Sequence, residues 1–236
     1  MKLALGSSIL NSLIPLIEKK NKDIKFICKK GGVIDIKDFM PDLLWYQQET
    51  VSEIFLLYLG GNNCFSGKSV RMDNGIHYHQ HRTRKSSTIT ECVEKFETLI
   101  AELKSLFPEA KICVTAPLAR RCFSEGFTQD HSLHCNDCLD IPAIGIVSKL
   151  GVSLKKHFEN DDSVDIISAK QMHKFIYYRA KPTPSRSWIR KYGCNTVNLQ
   201  FLYKILLSQK DQIHLSHRGK YFLVRYLNAH VFKKKR

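Results

Sequence analysis

Lys2-Leu3-Ala4-Leu5-Gly6-Ser7-Ser8 is a short apolar run that ends in a Gly-Ser-Ser turn. Ile9, Leu10, Leu13, Ile14 and Ile17 follow at helical spacing, so the turn joins a strand to a helix. Pro15 falls inside that pattern and either kinks the helix or marks its first turn. A hydroxyl on such a turn becomes a nucleophile only when a general base takes its proton, and the base needs an orienting carboxylate. Asp211-Gln212-Ile213-His214, far downstream, offers both. Alone, each piece is ordinary. A Ser after a Gly is a common turn or cap residue, and an Asp three before a His is a common helix start.

Outward from the turn, the strand-then-turn pattern recurs. Ile24–Cys28 reads as a second strand and runs into Lys30-Gly31-Gly32. Ile54–Leu59 reads as a third, with the unbroken apolar run of a strand covered on both faces, and runs into Gly60-Gly61-Asn62-Asn63. Ile112–Thr115 and Val164–Ser168 complete five strands. Helices are expected over Ile36–Gln48, from the capping box Thr88-x-x-Glu91 to the residues before Pro108, over Ile141–Phe158 and Val197–Leu207, and from Ser216 or His217 onward. Stretches 60–87 and 117–137 read as long loops. Five strand–helix alternations imply a parallel sheet with helices on both faces. Ligands of such sheets sit beyond the carboxyl ends of the strands. Ser8, Gly32 and Asn62 each follow a strand end, which puts them on one rim.

These four blocks, in this order, resemble the SGNH (GDSL-type) hydrolase superfamily, and the resemblance spans nearly the whole chain. That family carries a nucleophilic Ser in a Gly-Asp-Ser block, a Gly after the second strand, a Gly-x-Asn-Asp block after the third and a C-terminal Asp-x-x-His. The resemblance implies a three-layer αβα sandwich, flavodoxin-like, on a five-stranded parallel sheet. It implies a catalytic triad of Ser8, Asp211 and His214. It implies an oxyanion hole from the Ser8 and Gly32 N–H groups and the Asn62 side chain, an ester substrate, and neither cofactor nor metal. Whether Gly31 or Gly32 fills the second block stays open by one position. Ser7 and Asn63 stand where the family usually has Asp, which implies a tuned or weakened site or a relic. Acyl transfer to a sugar or peptide hydroxyl would use the same residues.

Length and composition fit one domain over residues 1–232 with a basic tail, Lys233-Lys234-Lys235-Arg236. Hydrophobic content of 43% and aromatic content of 10% exclude a disordered chain. No window approaches the ~18 apolar residues of a membrane span, and the N-terminus does not read as a signal peptide. The eight cysteines are therefore expected as reduced thiols in a cytoplasmic or nuclear protein. Lys plus Arg is 37 against 22 Asp plus Glu, a net charge of +15. A hydrolase of small soluble substrates has no need of that excess, which favours a polyanion nearby, nucleic acid or an anionic membrane. Arg179, Lys181, Arg186, Trp188, Arg190 and Lys191 form a basic strip with interleaved aromatics that could follow RNA, or simply a solvated loop. An RNA-binding protein with weak or no hydrolase activity is thus the second reading. The resemblance allows it: esterase-like domains of this superfamily occur in retrotransposon reading frames beside RNA-handling domains, and the germ-plasm protein Oskar reuses the fold to bind RNA. His131, His134, Cys135 and Cys138 offer zinc-type ligands. Adjacent ligands such as His134 and Cys135 rarely close one tetrahedron, so no metal is assigned.

Overall fold

Apolar runs too short for a helix and too apolar for a half-exposed strand become the middle of the sheet. A computed structural model describes residues 1–71, 77–83, 87–119, 141–180, 202, 205–207 and 214–232. Its elements run β1 (Lys2–Gly6), α1 (Ser8–Asn11), α2 (Ile14–Ile17), β2 (Ile24–Cys28), α3 (Met40–Leu43), β3 (Glu53–Leu57), α4 (Gly61–Cys64), β4 (Phe65–Arg71), β5 (His77–Thr83), α5 (Ser87–Leu106), β6 (Lys111–Thr115), α6 (Ile141–His157), β7 (Val164–Ile167), α7 (Ala169–Ala180) and α8 (His217–His230). Five strands form one parallel sheet in the order β2-β1-β3-β6-β7. Leu3, Ala4, Leu5, Ile54, Phe55, Leu56 and Leu57 are buried, as strands covered on both faces require. Right-handed crossovers that step outward in opposite directions put α1 and α2 on one face, α5 and α6 on the other. α5 packs on α6, and α8 packs on α2 and α7. The result is the three-layer αβα sandwich expected.

Register decides where the site falls. Gly6 pairs with Cys28 and with Leu57, so the three lie in one row at the carboxyl edge. Thr115 pairs with Ile167 on the far side of the same edge. Ser8, Gly32 and Asn62 follow that row by two to five residues.

Several elements depart from expectation. Residues 36–46 form a 3-10 turn (Ile36–Asp38), α3 and a second 3-10 turn (Leu44–Tyr46), not one helix. Pro41 at the start of α3 lacks an N–H, and so breaks the ladder there. The first helix splits likewise into α1 and α2, with Pro15 in the first turn of α2. α5 starts at Ser87, so Thr88 lies inside its first turn, buried, and is not the cap. Stretch 60–87 is not all loop: it carries α4 and the antiparallel ribbon β4–β5, with Phe65 opposite Thr83. Most of stretch 117–137 and of Val197–Leu207 lies outside the described residues.

Candidate active site

Gly6 ends β1 because the next turn leaves no room for a side chain. A Cβ there would stand 2.7 Å from Leu10 and 2.9 Å from the Leu57 carbonyl. Ser7 is the N-cap of α1 in extended conformation, and its side chain makes no capping hydrogen bond. Ser8 is the first residue of that helix, where backbone N–H groups lack partners inside the helix. Ser7 is thus buried at the turn, but it does not brace the helix start as a charged residue would.

The β2 loop is a tight turn. The Lys29 N–H donates to Gly6 O at 3.0 Å, and the Gly32 N–H donates to Lys29 O at 3.0 Å. Gly31 sits at φ +74°, which makes this a type II turn with Lys30 as its second residue. The β3 loop reaches across to hold it. Gly60, at φ +91°, precedes α4, and a Cβ there would meet Ile34 at 3.0 Å. The Asn62 amide donates to Gly31 O at 2.7 Å and Gly32 O at 3.4 Å. Asn63 Oδ1 accepts from the Ile34 N–H at 3.1 Å. An acceptor at position 63 does not need a charge for that bond, so Asn makes it as Asp would. Both the Gly32 N–H and the Asn62 amide meet backbone carbonyls in this structure.

Tyr58 is where β3 leaves the sheet. It is the one non-glycine residue at positive φ (56°) among the described residues, a backbone region that costs about 1–3 kcal/mol. Thr115 holds it: Thr115 Oγ1 accepts the Tyr58 N–H at 2.9 Å and donates to Leu56 O at 3.4 Å. The Tyr58 hydroxyl lies 3.9 Å from Met172 Sδ. Sequence reasoning passed over both residues. A Thr at the end of a strand and a Tyr inside an apolar run carry no signal until the turn is seen.

His214 is positioned from the other end of the chain. Leu215, beside it, bridges to Leu207. Ser216 Oγ donates to Ile205 O at 2.5 Å and accepts from the Gly219 N–H at 2.8 Å, capping α8. Ser8, Asn62 and His214 thus come from three remote parts of the chain, yet all line one cavity of about 260 Å³. Lys30, Gly31 and Gly32 line it as well, and Ile9, Tyr58 and Leu118 supply apolar surface. Asp211 lies outside the described residues, as do Lys181, Arg186, Trp188, Arg190, Lys191, His131, His134, Cys135 and Cys138. Cys28, level with Gly6, is a poor rival nucleophile, because burial pushes its thiol up to about 12.

No family model and no curated protein matches the sequence. Solved structures do. A candidate platelet activating factor from Streptococcus pneumonia superposes with a TM-score of 0.55 at 14% identity, over 98% of this chain and 83% of that one. The periplasmic domain of a lipopolysaccharide acetyltransferase from Salmonella ser. Paratyphi A gives 0.54 at 13% identity, over 98% and 84%. Phospholipase A1 from Streptomyces albidoflavus NA297 gives 0.50 at 13% identity, over 95% and 97%. The chain has an SGNH hydrolase-like fold.

Proposed function

We propose that the protein is a serine hydrolase acting on esters. One observation carries the reading: Ser8, Asn62 and His214 share a single cavity at the carboxyl edge of the sheet. Ser8 Oγ attacks the ester carbonyl carbon while His214 takes its proton. The oxyanion of the tetrahedral intermediate is held by the Ser8 N–H, the Gly32 N–H and the Asn62 amide. The last two meet neutral carbonyls at rest, and a charged oxygen is the stronger acceptor. The intermediate expels the alcohol, which takes the proton from His214, and leaves acyl-Ser8. Water then attacks, His214 takes its proton, and the acid departs with Ser8 restored. Asp211, three residues before His214, orients the imidazole. If an acceptor alcohol replaces the water, the same acyl-Ser8 yields acyl transfer.

Fluorophosphonate labelling and ester hydrolysis, wild type beside Ser8→Ala, test this. The wild type should be labelled and Ser8→Ala should not, with hydrolysis falling by at least about 10³-fold. Full hydrolysis by Ser8→Ala would overturn the assignment. The RNA-binding reading rests on the net charge of +15. Of its strip, Arg179 is described, and its guanidinium is 3.6 Å over the Phe175 ring and donates to Phe175 O.

A further inference from the structure

Among the described residues that line the cavity, Lys30 is the one with a permanent charge, and no carboxylate is there to answer it. Its neighbour Lys29 pairs with Asp42 at 2.6 Å. None of the ion pairs among the described residues includes Lys30. The anchor of this side chain is fixed. Lys30 occupies the second position of a turn closed by the Gly32–Lys29 hydrogen bond, tied to β1 through Gly6 O and to α4 through Asn62. On that fixed backbone the Lys30 side chain is exposed, and Ile9, Tyr58 and Leu118 line the same cavity with apolar surface. A cavity of about 260 Å³ is at the small end for a ligand site, which favours a short acyl group. The protein's overall positive charge would draw an anion toward it from a distance.

We propose that the substrate is an ester of a short acyl group with an anionic alcohol, whose carboxylate or phosphate meets Lys30. This rests on the ester-hydrolase reading for the bond that is cut, but not for the anion site itself.

The test separates the two. Calorimetry on the Ser8→Ala protein, which cannot turn its ligand over, compares 4-acetoxybenzoate, 4-acetoxyphenyl phosphate and the neutral methyl 4-acetoxybenzoate. The two anions are expected to bind roughly five- to tenfold more tightly than the neutral ester, an advantage lost in about 0.5 M salt. The tighter of the two anions identifies the natural group as carboxylate or phosphate. Adding Lys30→Glu should invert the order, and adding Lys30→Met should level it. Equal affinities for all three esters, absence of binding by either anion, or an order unmoved by Lys30→Glu and Lys30→Met would overturn the proposal. Hydrolysis of the same esters by the wild type is read in parallel. Ionic preference in binding without turnover would sink the hydrolase and keep the anion site. Turnover without ionic preference would do the reverse.

Discussion

Thr115 acts on the candidate site from the neighbouring strand. Its hydroxyl takes the buried N–H of Tyr58, the residue that forces β3 into its left-handed exit and so aims the loop carrying Asn62. Thr115→Val keeps the shape and removes the acceptor, leaving a buried N–H unpaired at about 1–3 kcal/mol. The cheapest relief is to let the turn move, and Asn62 moves with it. Thr115 is therefore a positioning residue. Thr115→Val should lower kcat on an ester about tenfold or more with KM little changed, and Thr115→Ser should restore it. A loss confined to the melting temperature, with kcat intact, would reduce Thr115 to a structural role. Asn63 teaches the complementary lesson. By motif it is a departure, yet it makes the bond its position calls for, to the Ile34 N–H, because that bond needs an acceptor and not a charge.

At the scale of elements, the start of α8 matters most, since it sets His214. Helix and segment 205–207 approach so closely that a Cβ on Gly219 would lie 2.0 Å from Leu206 O. The Ser216 N–H donates to that same carbonyl at 2.9 Å, so helix and strand bridge share one anchor. Gly219→Ala must push α8 away from Leu206. Gly-to-Ala in a helix ordinarily stabilises by about 1 kcal/mol, and here the sign should reverse. Urea unfolding should show a loss of stability, and fluorophosphonate labelling of Ser8 should slow as His214 is displaced. A Gly219→Ala protein as stable as the wild type would mean that α8 does not press on Leu206. The capping box at Thr88 shows how element starts mislead. Its residue types fit a cap, but α5 begins at Ser87 and Thr88 is buried inside the first turn.

For the whole molecule, acid is the predicted weak point. His173, in α7, is buried, and desolvation pushes its imidazolium down to about 4 from 6.5. The folded protein then keeps it neutral where the unfolded chain would protonate it. The stabilisation is complete above about pH 6.5 and is lost as pH falls toward 4, by at most about 3 kcal/mol. Urea midpoints at pH 7 and pH 4.5 should converge in His173→Gln relative to the wild type; an unchanged gap would place the acid sensitivity elsewhere. The architecture around that core was legible from apolar runs alone. Leu3–Leu5, Ile24–Cys28, Ile54–Leu59, Ile112–Thr115 and Val164–Ser168 are short and apolar, and helical patterns separate them; the structure ends the third at Leu57 and the fifth at Ile167. A parallel sheet covered on both faces is what buries such runs, so composition and periodicity by themselves determined the sheet and its rim; the resemblance of the turn motifs, not periodicity, singled out Ser8, Gly32 and Asn62 among the residues that follow the strand ends. Left to tertiary structure were the relations between loops that never meet in sequence. The Gly32 N–H closes a turn on Lys29, Asn62 grips the Gly31 carbonyl, Thr115 braces Tyr58 and Gly219 lets α8 bring His214 to the cavity. Each is a contact a few ångströms long between segments tens to hundreds of residues apart or inside a turn of unusual φ, and periodicity carries no information about such distances.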